Sequence, residues 1–102
     1  MTMTAKDRAA LRGEAHHLSA AVHIGHQGVT PAVIETLDDA LRTRELVKVQ
    51  LAKTTDETPK VAAQHLAEAT GSEVVQVIGR TCTLYRWNPE LKRKGDVPPW
   101  RA

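Results

Sequence analysis

The sequence predicts a single small α/β domain with one mixed four-stranded sheet packed on helices, in the order α-β-α-β-α-β-β. Three observations carry this reading. A short apolar run passes through a glycine pair into a helix start at Thr30-Pro31, residues 45–53 alternate between apolar and polar, and two later strand-like runs are separated only by Gly79-Arg80.

Thr4 caps a first helix whose apolar positions Leu11, Ala15 and Leu18 follow helical spacing, with Asp7 in the favourable first turn and an end near His17. Residues 19–24, containing Val22 and Ile24, read as a short strand running into Gly25. Thr30-Pro31 opens the second helix, because threonine caps free N–H groups and proline's fixed φ suits the first helical position. Val33, Leu37 and Leu41 form its apolar stripe, widened by Ile34 and Ala40.

In the second strand, 45–53, Val47, Val49 and Leu51 share one face while Leu46, Lys48 and Gln50 share the other, as in a strand covered on one side. A third helix ends at Thr70 and starts from Asp56 or Thr58. Pro59 stands at its start, Ala62, Leu66 and Ala69 form a narrow inner face, and Gly71 stops it. Strands 73–78 and 81–86 follow as antiparallel neighbours, since Gly79-Arg80 has the length and glycine of a two-residue hairpin. The strand order stays open. Residues 4–87 thus make the folded domain, and 88–102, with Pro89, Pro98, Pro99 and Gly95, read as a basic, mobile tail.

Composition bounds the function. The net charge is +2, but from Arg80 onward six basic residues stand against Glu90 and Asp96, so positive charge gathers toward the C-terminus. The lone Cys82 fits a reducing, cytoplasmic setting, the charged N-terminal stretch lacks a signal peptide's apolar core, and no segment is long enough to span a membrane. No coiled-coil pattern is present; a monomer is expected, and the oligomeric state itself stays open. Phenylalanine is absent and the aromatics are Tyr85, Trp87 and Trp100, which argues against a sheet that stacks bases on several strand aromatics.

The most informative stretch is Ile24-Gly25-His26-Gln27-Gly28-Val29-Thr30-Pro31. A tight glycine turn at a helix N-terminus directs unpaired N–H groups outward, where the helix dipole favours an anion such as phosphate. Spacing alone leaves open that the turn merely connects strand to helix.

The elements LRGEAHHLSAAVHIGHQGVT (11–30), RELVKV (44–49) and VVQVIGRTCTLYR (74–86) closely resemble the CRM domain, and within it the small stand-alone bacterial YhbY-type proteins. The resemblance covers roughly residues 11–86. It implies an RNA-binding module, similar in fold to the C-terminal domain of translation initiation factor three; like the stand-alone members of the family, the module would bind ribosomal RNA in precursors of the large subunit and assist assembly. It also makes Gly25, His26, Gln27 and Gly28 the RNA-contact loop, analogous in local chemistry to the GXXG loop of KH domains. This chain departs from the family where a lysine is frequent: His26 and Gln27 donate hydrogen bonds without a full charge at pH 7. The grip should be weaker or more pH-dependent.

Arg12, Arg80 and Arg86 are candidates to extend a phosphate track, against the alternative of solvated surface charge. Lys92, Arg93 and Lys94 read as an electrostatic tether or as a solubilising run. Trp87 and Trp100 stack on bases or, for Trp87, cap the core edge. His16, within the Ala-His element of the resemblance, is expected to pack against or bond to the loop. His16, His17, His23 and His26 lack the paired spacing of a zinc site, so neither metal nor cofactor is expected. His65 reads as a surface or boundary residue and Cys82 as a small buried hydrophobe. With no carboxylate pair, Ser-His-Asp set or Walker loop, the chain is expected not to be an enzyme. The alternative function is a protein-interaction module on a ribosomal particle, with RNA contact incidental.

Overall fold

A computed structural model describes residues 4–87. The expected tail 88–102, including Lys92, Arg93, Lys94 and Trp100, lies outside the described residues. The elements come in the expected order: α1 (Ala5–Ala15), β1 (Val22–Ile24), α2 (Pro31–Arg44), β2 (Leu46–Leu51), α3 (Pro59–Thr70), β3 (Glu73–Ile78) and β4 (Thr81–Tyr85).

Each helix starts where its threonine stands. Thr4 accepts from the Asp7 amide while the Asp7 carboxylate accepts from the Thr4 amide, a reciprocal capping box. Thr30 and Thr58 accept from the amides of Val33 and Val61, each followed by proline at the first helical position. Caps of this kind contribute about 1 kcal/mol each.

Several boundaries differ from the sequence reading: β2 ends at Leu51 and not at residue 53, β4 ends at Tyr85 and not at residue 86, and three more shift for identifiable reasons. α1 stops before Leu18, which lies outside the helix and is 36% exposed, because the chain turns at His16 toward the sheet. Only Val22–Ile24 of 19–24 pairs as a strand, since the preceding residues bridge from α1 to the sheet edge. Glu45, placed at the head of the second strand, is instead the C-cap of α2 with φ 65. No glycine stands at that junction, so a non-glycine residue takes the turn, and its carbonyl is held by the Arg86 amide at 2.9 Å. In α3 the inner face is Ala62, Ala63, Leu66, Ala67 and Thr70, and Ala69 is exposed. A full-width stripe at helical spacing places 66, 67 and 70 together and turns 69 outward.

The sheet order is β1-β2-β4-β3. β1 and β2 are parallel, and β4 is antiparallel to both β2 and β3. The α3 connection therefore skips one place, and β4 returns from the hairpin into the gap between β2 and β3. Along this central strand, Cys82 and Leu84 on one face and Thr83 and Tyr85 on the other are buried, while Thr81 is partly exposed.

The main core lies between the sheet and α2 with α3, built from Val22, Ile24, Val47, Val49, Leu51 and Leu84 against Leu37, Leu41 and Leu66. Full burial of such a side chain stabilises by about 1.5–3 kcal/mol. α1 packs on the opposite face, where Leu11, Val75 and Tyr85 form a smaller cluster joined by Leu46 and Trp87. Trp87 thus caps a core edge. Because α1 covers only the end of the sheet near Leu46 and Tyr85, the other end of that face stays open.

A bulge decides what the open end displays. Val74 pairs with Leu84, but Gln76, not Val75, pairs with Thr83. The extra residue sends Val75 against α1 and resets the alternation, so Gln76 and Ile78 point to the open face while Val77 turns to the main core.

Candidate nucleic-acid interface

Parallel β1 and β2 end on the same side of the sheet, so the connections that follow them, 25–30 and 52–58, lie together with the Gly79-Arg80 hairpin. The end of β1 is held by Ala52, whose amide donates to the Ile24 carbonyl at 2.9 Å. The glycine turn closes on itself through the Gly28 amide and the Gly25 carbonyl, 3.0 Å apart. Thr55 braces it from below, donating its hydroxyl to the Gly25 carbonyl at 2.9 Å. His26 Nδ1 lies 3.2 Å from the Thr54 carbonyl.

The two glycines differ. Gly28 has φ +74, and a Cβ there would meet Glu57 Oε1 at 3.3 Å, so both conformation and space call for glycine. Gly25 has no such φ, and a Cβ would meet nothing within 4 Å. Of the two reasons for glycine in such a turn, a left-handed conformation applies at Gly28, and an open approach to the backbone applies at Gly25.

Of the amides at Gln27, Gly28 and Val29, Gly28 is spent on the turn, and the Val29 amide faces Glu57 Oε1 at 3.5 Å. Glu57 Oε2 lies 3.8 Å from His65 Nδ1. A carboxylate of the chain itself thus stands where a bound anion would approach the start of α2. His26 and Gln27 are exposed at the tip.

The arginines separate. Arg80 is half-buried and ties the hairpin to the 52–58 connection, with Nε donating to the Ala52 carbonyl at 3.1 Å and Nη2 to the carbonyls of Ala52 and Thr55. Its charge sits beside the glycine turn while its donors hold the backbone that braces that turn. Arg86 lies at the opposite end of β4, where Nη1 meets Asp38 Oδ1 at 2.6 Å and the Thr70 carbonyl at 2.8 Å. It locks β4 to α2 and α3 and does not join the turn. Arg12 is exposed on the last turn of α1, across the sheet from α2 and α3. His16 lines a polar cleft with Lys48, Gln50 and Gln76 instead of bonding the loop, because the chain bends away at the end of α1.

Sequence reading missed Thr54, Thr55 and Glu57. The available signal was the repeat of a strand followed by a Thr-Pro helix start, at Thr30-Pro31 and Thr58-Pro59, which places two connections side by side when the strands are parallel. Among the described residues no group of His, Cys, Asp and Glu could hold a metal ion.

A family profile described as the CRS1 / YhbY (CRM) domain matches residues 3–86. The chain belongs to this family. The chain is 35% identical over 91 residues to a Bacillus subtilis protein named "Probable RNA-binding protein YqeI", covering 89% of this chain and 95% of the relative. It is likewise 35% identical over 91 residues to a protein of Haemophilus influenzae named "RNA-binding protein", covering 89% of this chain and 92% of that one. The solution structure of the Staphylococcus aureus protein SAV1595 matches this CRM-family chain with a TM-score of 0.76 and 36% identity, covering 95% of this chain and 98% of the other.

Proposed function

We propose that this chain is a non-enzymatic RNA-binding factor that acts in the cytoplasm as a monomer. It binds ribosomal RNA in precursors of the large ribosomal subunit and assists their assembly. The glycine turn at residues 25–28 grips the RNA backbone, and the charge of Arg80 sits beside it. The observation that carries the reading is the turn's placement: an open Gly25, exposed His26 and Gln27, and the α2 N-terminus stand together at one end of the sheet. Lys53 and Lys60, both exposed, lie on the neighbouring connection and the first turn of α3. The RNA-binding names of the relatives support the partner class.

The test uses large-subunit ribosomal RNA fragments and the full chain, wild type and Gly25→Leu, in fluorescence anisotropy over a salt series. Since a side chain at Gly25 enters open space, the variant should fold normally and bind RNA at least fivefold more weakly. Phosphate contacts on single strands give a log–log salt slope of about −0.7 per neutralised phosphate. Unchanged binding by folded Gly25→Leu removes the turn from the interface. A flat salt response favours the protein-interaction alternative.

A further inference from the structure

The open half of the sheet carries an ordered set of polar side chains that the phosphate-gripping turn does not use. Across the four strands His23, Gln50, Thr81 and Ile78 stand in one register row, and Lys48, Thr83 and Gln76 stand in the next. Two adjoining depressions follow these rows. One, of about 380 Å³, lies against Gly25 and is lined by His23, Gln50 and Ala52. The other, of about 270 Å³, is lined by Lys48, Gln50, Gln76, Ile78, Thr81 and Thr83, with His16 at its rim. Gln50 belongs to both, so the surface is continuous from the glycine turn across the sheet.

Its chemistry selects an occupant. Among the described residues no carboxylate lines either depression, and Lys48 enters none of the ion pairs. Carboxamides offer a donor and an acceptor together, which matches the edge of an unpaired base, and Ile78, 59% exposed, offers an apolar surface in the same row. At the usual strand spacing of about 4.8 Å the row is about 14 Å wide, room for about two bases. The bulge at Val75 is what brings Gln76 and Ile78 to this face.

We propose that this half-sheet reads the bases of single-stranded RNA whose backbone passes the 25–28 turn. Gln50, Gln76 and Thr81 hydrogen-bond base edges, Ile78 packs under a base, and Lys48 meets a phosphate. The reading rests on RNA binding by the turn, and it adds sequence preference, which phosphate contacts alone do not provide.

The experiment is an NMR titration of the isotopically labelled full chain with single-stranded 12-mers of A, C and U, and one of mixed sequence. Alongside it, affinities are measured for the double variant Gln50→Ala, Gln76→Ala. The side-chain amides of Gln50 and Gln76 should shift together with the turn amides. The double variant should lose about tenfold in affinity for the best-bound oligomer and flatten the preference among oligomers, with the salt slope unchanged. Shifts confined to the turn, with wild-type affinities in the variant, overturn base reading and leave RNA binding by the turn intact. Absence of any shift with all four RNAs overturns both. The wild-type titration decides the matter even if the variant does not fold.

Discussion

The Glu57 carboxylate lies 3.5 Å from the Val29 amide nitrogen, at the exit of the glycine turn and the approach to the α2 N-terminus. A helix start favours an anion, and here the chain supplies one from the neighbouring connection. A phosphate arriving at the turn meets that charge at close range. Glu57→Gln keeps an oxygen for the Val29 amide and removes the repulsion. RNA affinity should rise about two- to fivefold at low salt, and the gain should shrink as salt is raised toward about 1 M, where the Debye length falls to about 3 Å and even a close pair of partly exposed charges is screened. Anisotropy titrations at two salt concentrations check this, and an affinity unchanged at both would show that Glu57 stays clear of the RNA.

The unequal glycines give a stability test. Gly28→Ala forces a Cβ into a left-handed conformation and against Glu57, so it should cost about 1–2 kcal/mol in urea unfolding. Gly25→Ala meets neither obstacle and should unfold within about 0.5 kcal/mol of wild type. Equal losses at the two positions would contradict the geometry.

Arg80 and Arg86 should part company on RNA binding but not on stability. Arg80→Ala removes donors to Ala52 and Thr55 and releases the connection that braces the turn, with an expected loss of about 2 kcal/mol together with weaker RNA binding. Arg86→Ala breaks a half-exposed pair with Asp38 and a bond to Thr70, for a loss of about 1–2 kcal/mol. Its RNA affinity should stay near wild type, because it sits at the far end of β4. Chemical denaturation and anisotropy on the same two variants separate the roles.

Burial pushes the Cys82 thiol up from 9.0 to about 11. The neutral thiol is the form the fold accepts, so this contribution is complete below pH 9 and is lost as pH rises through 11. Two pH units correspond to about 3 kcal/mol at most. Wild type should therefore lose stability more steeply between pH 9 and 11 than Cys82→Ala, even though the variant starts lower from its cavity. In addition, a thiol reagent at pH 8 should label Cys82 only after denaturant unfolds the chain.

Much of this molecule is local, and the local part was legible. Thr4, Thr30 and Thr58 announce three helix starts, Gly71 and Gly79 mark a stop and a hairpin, and period-two and helical spacing name most core positions. Capping, turn chemistry and hydrophobic periodicity act over four or five residues, so a one-dimensional reading reaches them. The glycine turn was found the same way, and its family resemblance gave it a candidate role.

Tertiary structure alone decided what surrounds that turn. Thr55 and Glu57 reach it across about thirty positions of sequence because β1 and β2 are parallel, and hydrogen bonds between connections leave no periodic trace. Arg80 and Arg86 look alike in the chain, yet strand direction puts one beside the turn and the other against Asp38 at the opposite end. The bulge at Val75 shifts Gln76 and Ile78 onto the open face, and no alternating pattern predicts a one-residue slip. By itself the sequence determined the elements and the identity of the turn. The partners of the turn came from strand pairing, which brings distant residues together only once the sheet has formed.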